Sequence, residues 1–363
     1  MFTEPLARLS GTGAAVLDLA TAPHGVDRYV EQLLPTWSST EVRGRIVDVD
    51  RSADGSVVLT IEANRRWPGF RAGQHTQLTV EIDGRRHTRS YSMCSAAGTD
   101  RRFQLGIRAH PEGLVSRHLV AHARTGTVVG LTPPAGTFHL PDQRPDALLL
   151  ISGGSGITPV LSMLRTLAAD EHEGPVTFVH YNRHCGAMIA ADEIRAIADA
   201  LPGVRLLTGF DLEPDAGELT GLFDASHLES AHPRWRDAEA YVCGPAPLMD
   251  AVRSEYERAG ALERFHQEAF TPPVLDAGPT GGIVRFTASG TDATNDGRPL
   301  LDQAEAAGLA PRHGCRMGVC HTCTRTLHSG TVRNAITGVV TSDPGVEIQV
   351  CVNVPVGDVD IDL

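Results

Sequence analysis

The stretch CRMGVCHTC, residues 315–323, sets three cysteines in a C-x4-C-x2-C spacing, and a fourth, Cys351, follows 28 residues after Cys323. Four thiols so placed require one tight loop and one separate strand to converge. Disulfides, zinc and an electron-carrying cluster are the alternatives. Seven cysteines is an odd count, and Cys94, Cys185 and Cys243 are scattered without a spacing pattern. The N-terminus, MFTEPLARLSGTGAAVLDLA, has an early Glu and Asp and no long apolar stretch followed by an A-x-A-like cleavage site. A secretory signal is therefore not expected, and in the cytoplasm, the expected location, clustered cysteines hold metals more often than they form disulfides. Structural zinc sites combine two short pairs, whereas only one pair here is short, which leaves zinc as the runner-up. The spacing fits a 2Fe-2S cluster, whose two irons take four thiolates, here Cys315, Cys320, Cys323 and Cys351. Gly314 and Gly318 would let loop amides approach the sulfides. His313 and His321 flank the loop and are expected at the surface or beside the ligands.

At 363 residues the chain is long enough for two or three domains. No apolar run approaches the ~18 residues of a membrane span, so no membrane insertion is expected. A net charge of −12 gives no attraction to nucleic acid or anionic lipid. Partners are then small molecules or proteins. Every basic side chain is Arg, with no Lys anywhere. Residues 1–37 read as a helical N-terminal extension ending near Pro35. Residues 38–142 alternate in strand fashion (VRGRIVDVD, SVVLTIEA, HTQLTVEI, FQLGIRA) between Gly and Pro turns, which predicts a small antiparallel β-barrel. From 143 to 270 short apolar runs (ALLLIS, VTFVHYN, RLLTGF, AYVCGP) alternate with helical stretches, the rhythm of an α/β unit around a parallel sheet. TPPVLDAGPTGG, 271–282, reads as a linker. Residues 283–363 read as an α+β unit that carries the cysteine loop.

Two of these segments hold phosphate-binding chemistry. RSYS, 89–92, follows a strand and a turn and offers a cation in Arg89, Ser90, a flat ring in Tyr91 and a hydrogen-bonding group in Ser92. GLVS, 113–116, opens a predicted helix, so that Gly113, Val115 and Ser116 can present backbone amides to a diphosphate. In GGSGITP, 153–159, Gly153, Gly154, Ser155 and Gly156 form a turn between strand and helix, with Thr158 and Pro159 in the first helical turn. It is not the G-x-G-x-x-G fingerprint. The strand AYVC ends in Cys243, Gly244 and Pro245, at the edge of the sheet where open α/β folds bind ligands.

In order and spacing, RSYS, GLVS, GGSGITP and CGPAPLM resemble the ferredoxin–NADP reductase superfamily, and RPLLDQAEAAGLAPRHGCRMGVCHTC resembles a plant-type ferredoxin domain of β-grasp fold. The resemblance covers roughly 38–363 and points to single-chain reductases that feed oxygenases, epoxidases and acyl desaturases. It implies FAD at Arg89, Tyr91 and Ser92 with its diphosphate at Val115 and Ser116, a nicotinamide cofactor at 153–159 and 243–245, and roles for Glu268 and Phe270 of FHQEAF. Ser92, Glu268 and Cys243 become the candidates for supporting the chemistry. GLVS favours FAD over FMN. Asn182 and Arg183, which follow VTFVHYN with no acidic residue at that spot, favour NADPH, with NADH the alternative. HTRSYSMCS and the leader resemble the branch that serves diiron desaturases. The acceptor implied is a desaturase, a hydroxylase, a Rieske oxygenase or a P450, and it can be membrane-bound. A monomer is expected.

Other residues carry plainer readings. Cys94 is expected to pack the barrel as a small buried thiol. The 16 histidines contain no HExxH, and no serine sits in G-x-S-x-G. Two further functions remain open at this point, a flavin oxidoreductase acting alone on a small acceptor and a redox-sensing subunit. NADPH-to-cytochrome c turnover separates the sensor from the reductase.

Overall fold

Residues 30, 33–270, 277–314, 316, 318 and 321–363 are described by the computed structural model. Cys315 and Cys320, nearly all of the expected N-terminal helices and residues 271–276 lie outside the described residues.

The alternating segment forms one antiparallel sheet of β1 (Val42–Asp50), β2 (Ser56–Ala63), β3 (His75–Ile82), β4 (Arg85–Ser92), β5 (Arg102–Arg108) and β6 (Val128–Leu131), in the order β4-β3-β6-β1-β2-β5. A bridge between Met93 and Leu105 brings the two edges together and curls the sheet into a barrel. Inward positions such as Ile46, Leu59, Ile61, Leu78 and Leu105 are fully buried. Helix α1 (Leu114–His122) closes one end by burying Val115 and Leu119. The β3–β4 hairpin turns at Asp83 and Gly84, with φ of 51° and 73°, the pair of left-handed residues that a two-residue turn needs to match strand twist. That turn fixes the register from Ile82 opposite Arg85 out to His75 opposite Ser92.

The next segment is a five-stranded parallel sheet of β7 (Leu148–Gly153), β8 (Val176–Asn182), β9 (Val204–Phe210), β10 (Glu239–Cys243) and β11 (Phe265–Glu268), ordered β11-β10-β7-β8-β9. Every residue of β7 and β8 is buried, as strands covered on both faces require. Leu148 and Leu150 face α2 (Ile157–Ala169) and α3 (Ala191–Ala200), whereas Leu149 and Ile151 pack toward α4 (Ala225–Ala231) and α5 (Ala246–Arg258). The chain winds from β7 to β9 on one side and returns to β10 on the other. The strand order therefore reverses between β7 and β10, which opens a crevice at their carboxyl ends. Helix α2 also ties this sheet to the barrel, because Ser162 Oγ donates to the Ser95 carbonyl at 2.7 Å and Arg165 reaches the Cys94 carbonyl and Gln104 Oε1 at 2.6 and 2.9 Å. Cys94 is wholly buried at this junction, and burial pushes its thiol up to about 11.

The last sheet contains β12 (Ile283–Phe286), β13 (Thr291–Thr294), β14 (Thr324–Asn334), β15 (Val340–Thr341), β16 (Glu347–Gln349) and β17 (Asn353–Ile361). Helix α6 (Leu300–Ala306) lies over it, β12 runs parallel to β17 and the remaining pairs are antiparallel, which is a β-grasp arrangement. Its core joins Phe286, Leu300, Leu327, Val350 and Ile361 to Cys323 and Cys351. Among the described residues, no helix is long and apolar enough to cross a membrane.

Candidate functional site

Two adjoining cavities open where the barrel meets the parallel sheet. The first, of about 490 Å³, takes its wall from Arg89, Ser90, Tyr91 and Ser92 of β4, with Gly113, Val115 and Ser116 at the start of α1 and Glu268 at the end of β11. The second, of about 670 Å³, lies in the crevice between β7 and β10, over Gly153, Gly154, Ser155 and Gly156 on one side and Gly244 and Pro245 on the other, with Arg183 in its wall. Arg108, Ser155 and Phe270 line both. Phe270 is 38% exposed, so its ring stands at the mouth between them.

Glycine is required in the crevice because backbones touch there. A Cβ on Gly156 would lie 2.1 Å from the Cys243 carbonyl oxygen, and one on Gly244 would lie 2.9 Å from the Gly153 amide nitrogen. The two Gly-rich turns thus lock against each other while shaping the cavity floor. Thr158 lines the first cavity and not the second, and Pro159 lines neither. Cys243, expected beside a nicotinamide, ends β10 directly opposite Glu268 of β11. Its residue is wholly buried in the core under α2, it lines neither cavity, and burial above all, with Glu268 adding to it, raises its thiol well above the ordinary range. Gly244 and Pro245, the two residues after it, line the crevice.

Behind the first cavity is a polar cluster that the sequence reading found only in part. Glu268 Oε1 is 3.4 Å from His75 Nδ1, Ser92 Oγ donates to Glu268 Oε2 at 3.4 Å, and the His75 and Glu268 side chains are 6% and 10% exposed. A buried carboxylate needs such partners. His75 was missed, although the Asp83-Gly84 turn, counted outward along both strands, places it opposite Ser92. Arg108 was also missed. Its Nη1 donates to Asn182 Oδ1 at 3.0 Å, and Asn182 Nδ2 lies 3.2 Å from Nε2 of the fully buried His180, whose Nδ1 is 2.9 Å from Ser152 Oγ. Burial, and secondarily Arg108, pushes His180 down to about 3, so it is neutral and accepts from Asn182. This chain fixes the amide of Asn182 and aims Arg108 at the junction of the cavities. Burial and the nearby Arg183 both lower the pKa of Arg108. Neither guanidinium makes an ion pair among the described residues, an arrangement suited to an anion.

The residues fit the groups that the cavities imply. Ser90 Oγ is buried in the wall of the first cavity with no hydrogen-bond partner among the described residues. Beside it stand the Tyr91 ring, whose burial raises its phenol beyond the ordinary range, and the start of α1, which has no side-chain cap. A flat heteroaromatic ring with a diphosphate tail matches that donor set. Cys323 and Cys351 are 1% and 5% exposed in one core, and a Cβ on Gly318 would lie 2.9 Å from Val352 Cγ2, so the loop presses on the strand segment after Cys351. Thiolates in a dry pocket suit an iron–sulfur cluster.

Comparison with known proteins gives three family matches in one chain: an oxidoreductase FAD-binding domain over residues 54–140, an oxidoreductase NAD-binding domain over 150–254 and a 2Fe-2S iron-sulfur cluster binding domain over 287–353. An NADPH oxidoreductase of Mycobacterium tuberculosis is 35% identical over 348 residues, 94% of this chain and 90% of that protein. A glycine betaine monooxygenase reductase subunit of Pseudomonas aeruginosa is 31% identical over 318 residues, 81% of this chain and 87% of that one. Among solved structures, phthalate dioxygenase reductase superposes with a TM-score of 0.60 at 25% identity, covering 89% of this chain and 98% of the other.

Proposed function

The chain belongs to the ferredoxin–NADP reductase superfamily, as a single-chain reductase with FAD, nicotinamide and 2Fe-2S modules, and we propose that it draws electrons from NADPH and delivers them to an oxygenase-type protein. The observation that supports this reading is the junction of the two cavities, which share Arg108, Ser155 and Phe270 in their walls. When bound, FAD takes the two electrons of a hydride and releases them singly to the one-electron cluster. The protein's own groups bind and orient. Arg89 and the amides at Gly113 to Ser116 would hold the flavin diphosphate, and Tyr91 would offer its ring to the isoalloxazine. Ser92 Oγ, backed by Glu268 and His75, is the group offered to flavin N5 and its proton. Arg183 and Arg108 receive the phosphates of the nucleotide, the 2′-phosphate included. Phe270, in the wall of both cavities, would contact the flavin and the nicotinamide. Cys315, Cys320, Cys323 and Cys351 would hold the cluster.

For the acceptor, a diiron acyl desaturase or hydroxylase is the first choice, on the resemblance of HTRSYSMCS to that branch. The Pseudomonas relative is named for a monooxygenase reductase, which supports an oxygenase-type acceptor in general. Purified protein should hold about one FAD and two irons per chain, and the native protein should co-purify with its acceptor. Stoichiometric zinc or FMN would overturn the cofactor assignment. A P450 or Rieske oxygenase in the co-purified complex would replace the desaturase.

A further inference from the structure

Barrel and cysteine loop meet at a polar contact that the chemistry above does not use. Gln77, on β3, donates from Nε2 to Thr322 Oγ1 at 3.0 Å across 245 residues of sequence. Gln77 is only 9% exposed, so without this acceptor its amide would bear the cost of a buried, unmade hydrogen bond. Thr322 directly precedes Cys323. On its other side His321, with a left-handed φ of 55°, accepts from Gln349 Nε2 at 2.7 Å, and Gln349 stands two residues before Cys351. The end of the loop is therefore held by its own sheet through Gln349 and by the barrel through Gln77. On β3, His75 projects to the same face two residues earlier, about 7 Å along the strand. His75 lines the first cavity, and the hairpin register sets Ser92 and Ser90 opposite His75 and Gln77. One short piece of strand thus faces the flavin cavity at one position and the cysteine loop at the next.

We propose that the Gln77–Thr322 hydrogen bond is an interdomain latch that holds the cysteine loop against the wall of the flavin cavity. It is a positioning pair, and the proposal rests on the reading that flavin and cluster exchange electrons within one chain. Because both groups are uncharged, salt should leave the docking nearly unchanged, unlike docking through exposed ion pairs.

The test compares the holoenzyme with Gln77→Leu, Gln77→Asn, Thr322→Val and the Gln77→Leu/Thr322→Val double variant. Amide hydrogen exchange across 321–327 reads the docking directly, and stopped-flow reads the flavin-to-cluster step. Each single variant should raise exchange there by roughly fivefold, the worth of one hydrogen bond. It should also slow the flavin-to-cluster step while leaving flavin reduction by NADPH unchanged. The double variant should be no worse than either single, as expected of two halves of one contact, and Thr322→Ser should behave as native. Native exchange in both singles, additive effects in the double, or loss of FAD from Gln77→Leu would overturn the latch. If native enzyme showed no flavin-to-cluster phase, the electron-transfer reading would fail while the exchange measurement still decided the contact.

Discussion

Replacing Cys323 and Cys351 with Ser lowers cytochrome c reduction by about 100-fold, while NADPH-to-ferricyanide turnover stays within about twofold of native, because the barrel and nucleotide units keep their own cores. Serine hydroxyls do not ionise as thiols do, so two of the four proposed ligands are lost. Both side chains sit in the core of the last sheet, a cluster of buried residues separate from the two around the parallel sheet and the one in the barrel. Damage should therefore stop at that unit. Ferricyanide is small enough to take electrons from the flavin directly, whereas the protein acceptor depends on the cluster. Cytochrome c turnover that persisted in protein shown to contain no iron would make the flavin the exit and leave the last domain another task.

The second large effect concerns the nucleotide. Arg183→Glu should raise KM for NADPH by about 100-fold, since a charge-assisted contact to a phosphate is removed and a repulsion put in its place. KM for NADH should change by no more than about threefold, because a ribose hydroxyl has no charge to lose. Arg183 lines the larger cavity directly after Asn182, whose amide is fixed by Arg108 and His180. The substitution therefore changes charge at a position whose backbone is already held. Equal effects on both nucleotides would remove the case for the phosphate.

Much of this architecture is legible in the sequence for identifiable reasons. The uninterrupted apolar runs of 148–153 and 176–182 announce strands buried on both faces, and both lie at the centre of the parallel sheet. The cysteine spacing singled out Cys323 and Cys351, which the structure places in one core. Legibility failed where function depends on contacts between distant segments. Arg108 closes an ordinary barrel strand, and only the docking of the parallel sheet, through Asn182, makes it part of both cavities. Gln77 meets Thr322 across most of the chain, and nothing near either residue signals the other. His75 is the intermediate case, recoverable from the hairpin turn by counting register.

The central claim is that one chain carries electrons from NADPH through flavin to the cluster, and single-turnover stopped-flow without oxygen tests it most directly. Mixed with one equivalent of NADPH, the holoenzyme should show flavin bleaching first and cluster reduction second, the second phase having a rate independent of protein concentration. A cluster that stays oxidised beside reduced flavin, or a second phase whose rate rises in proportion to protein concentration, would contradict the account.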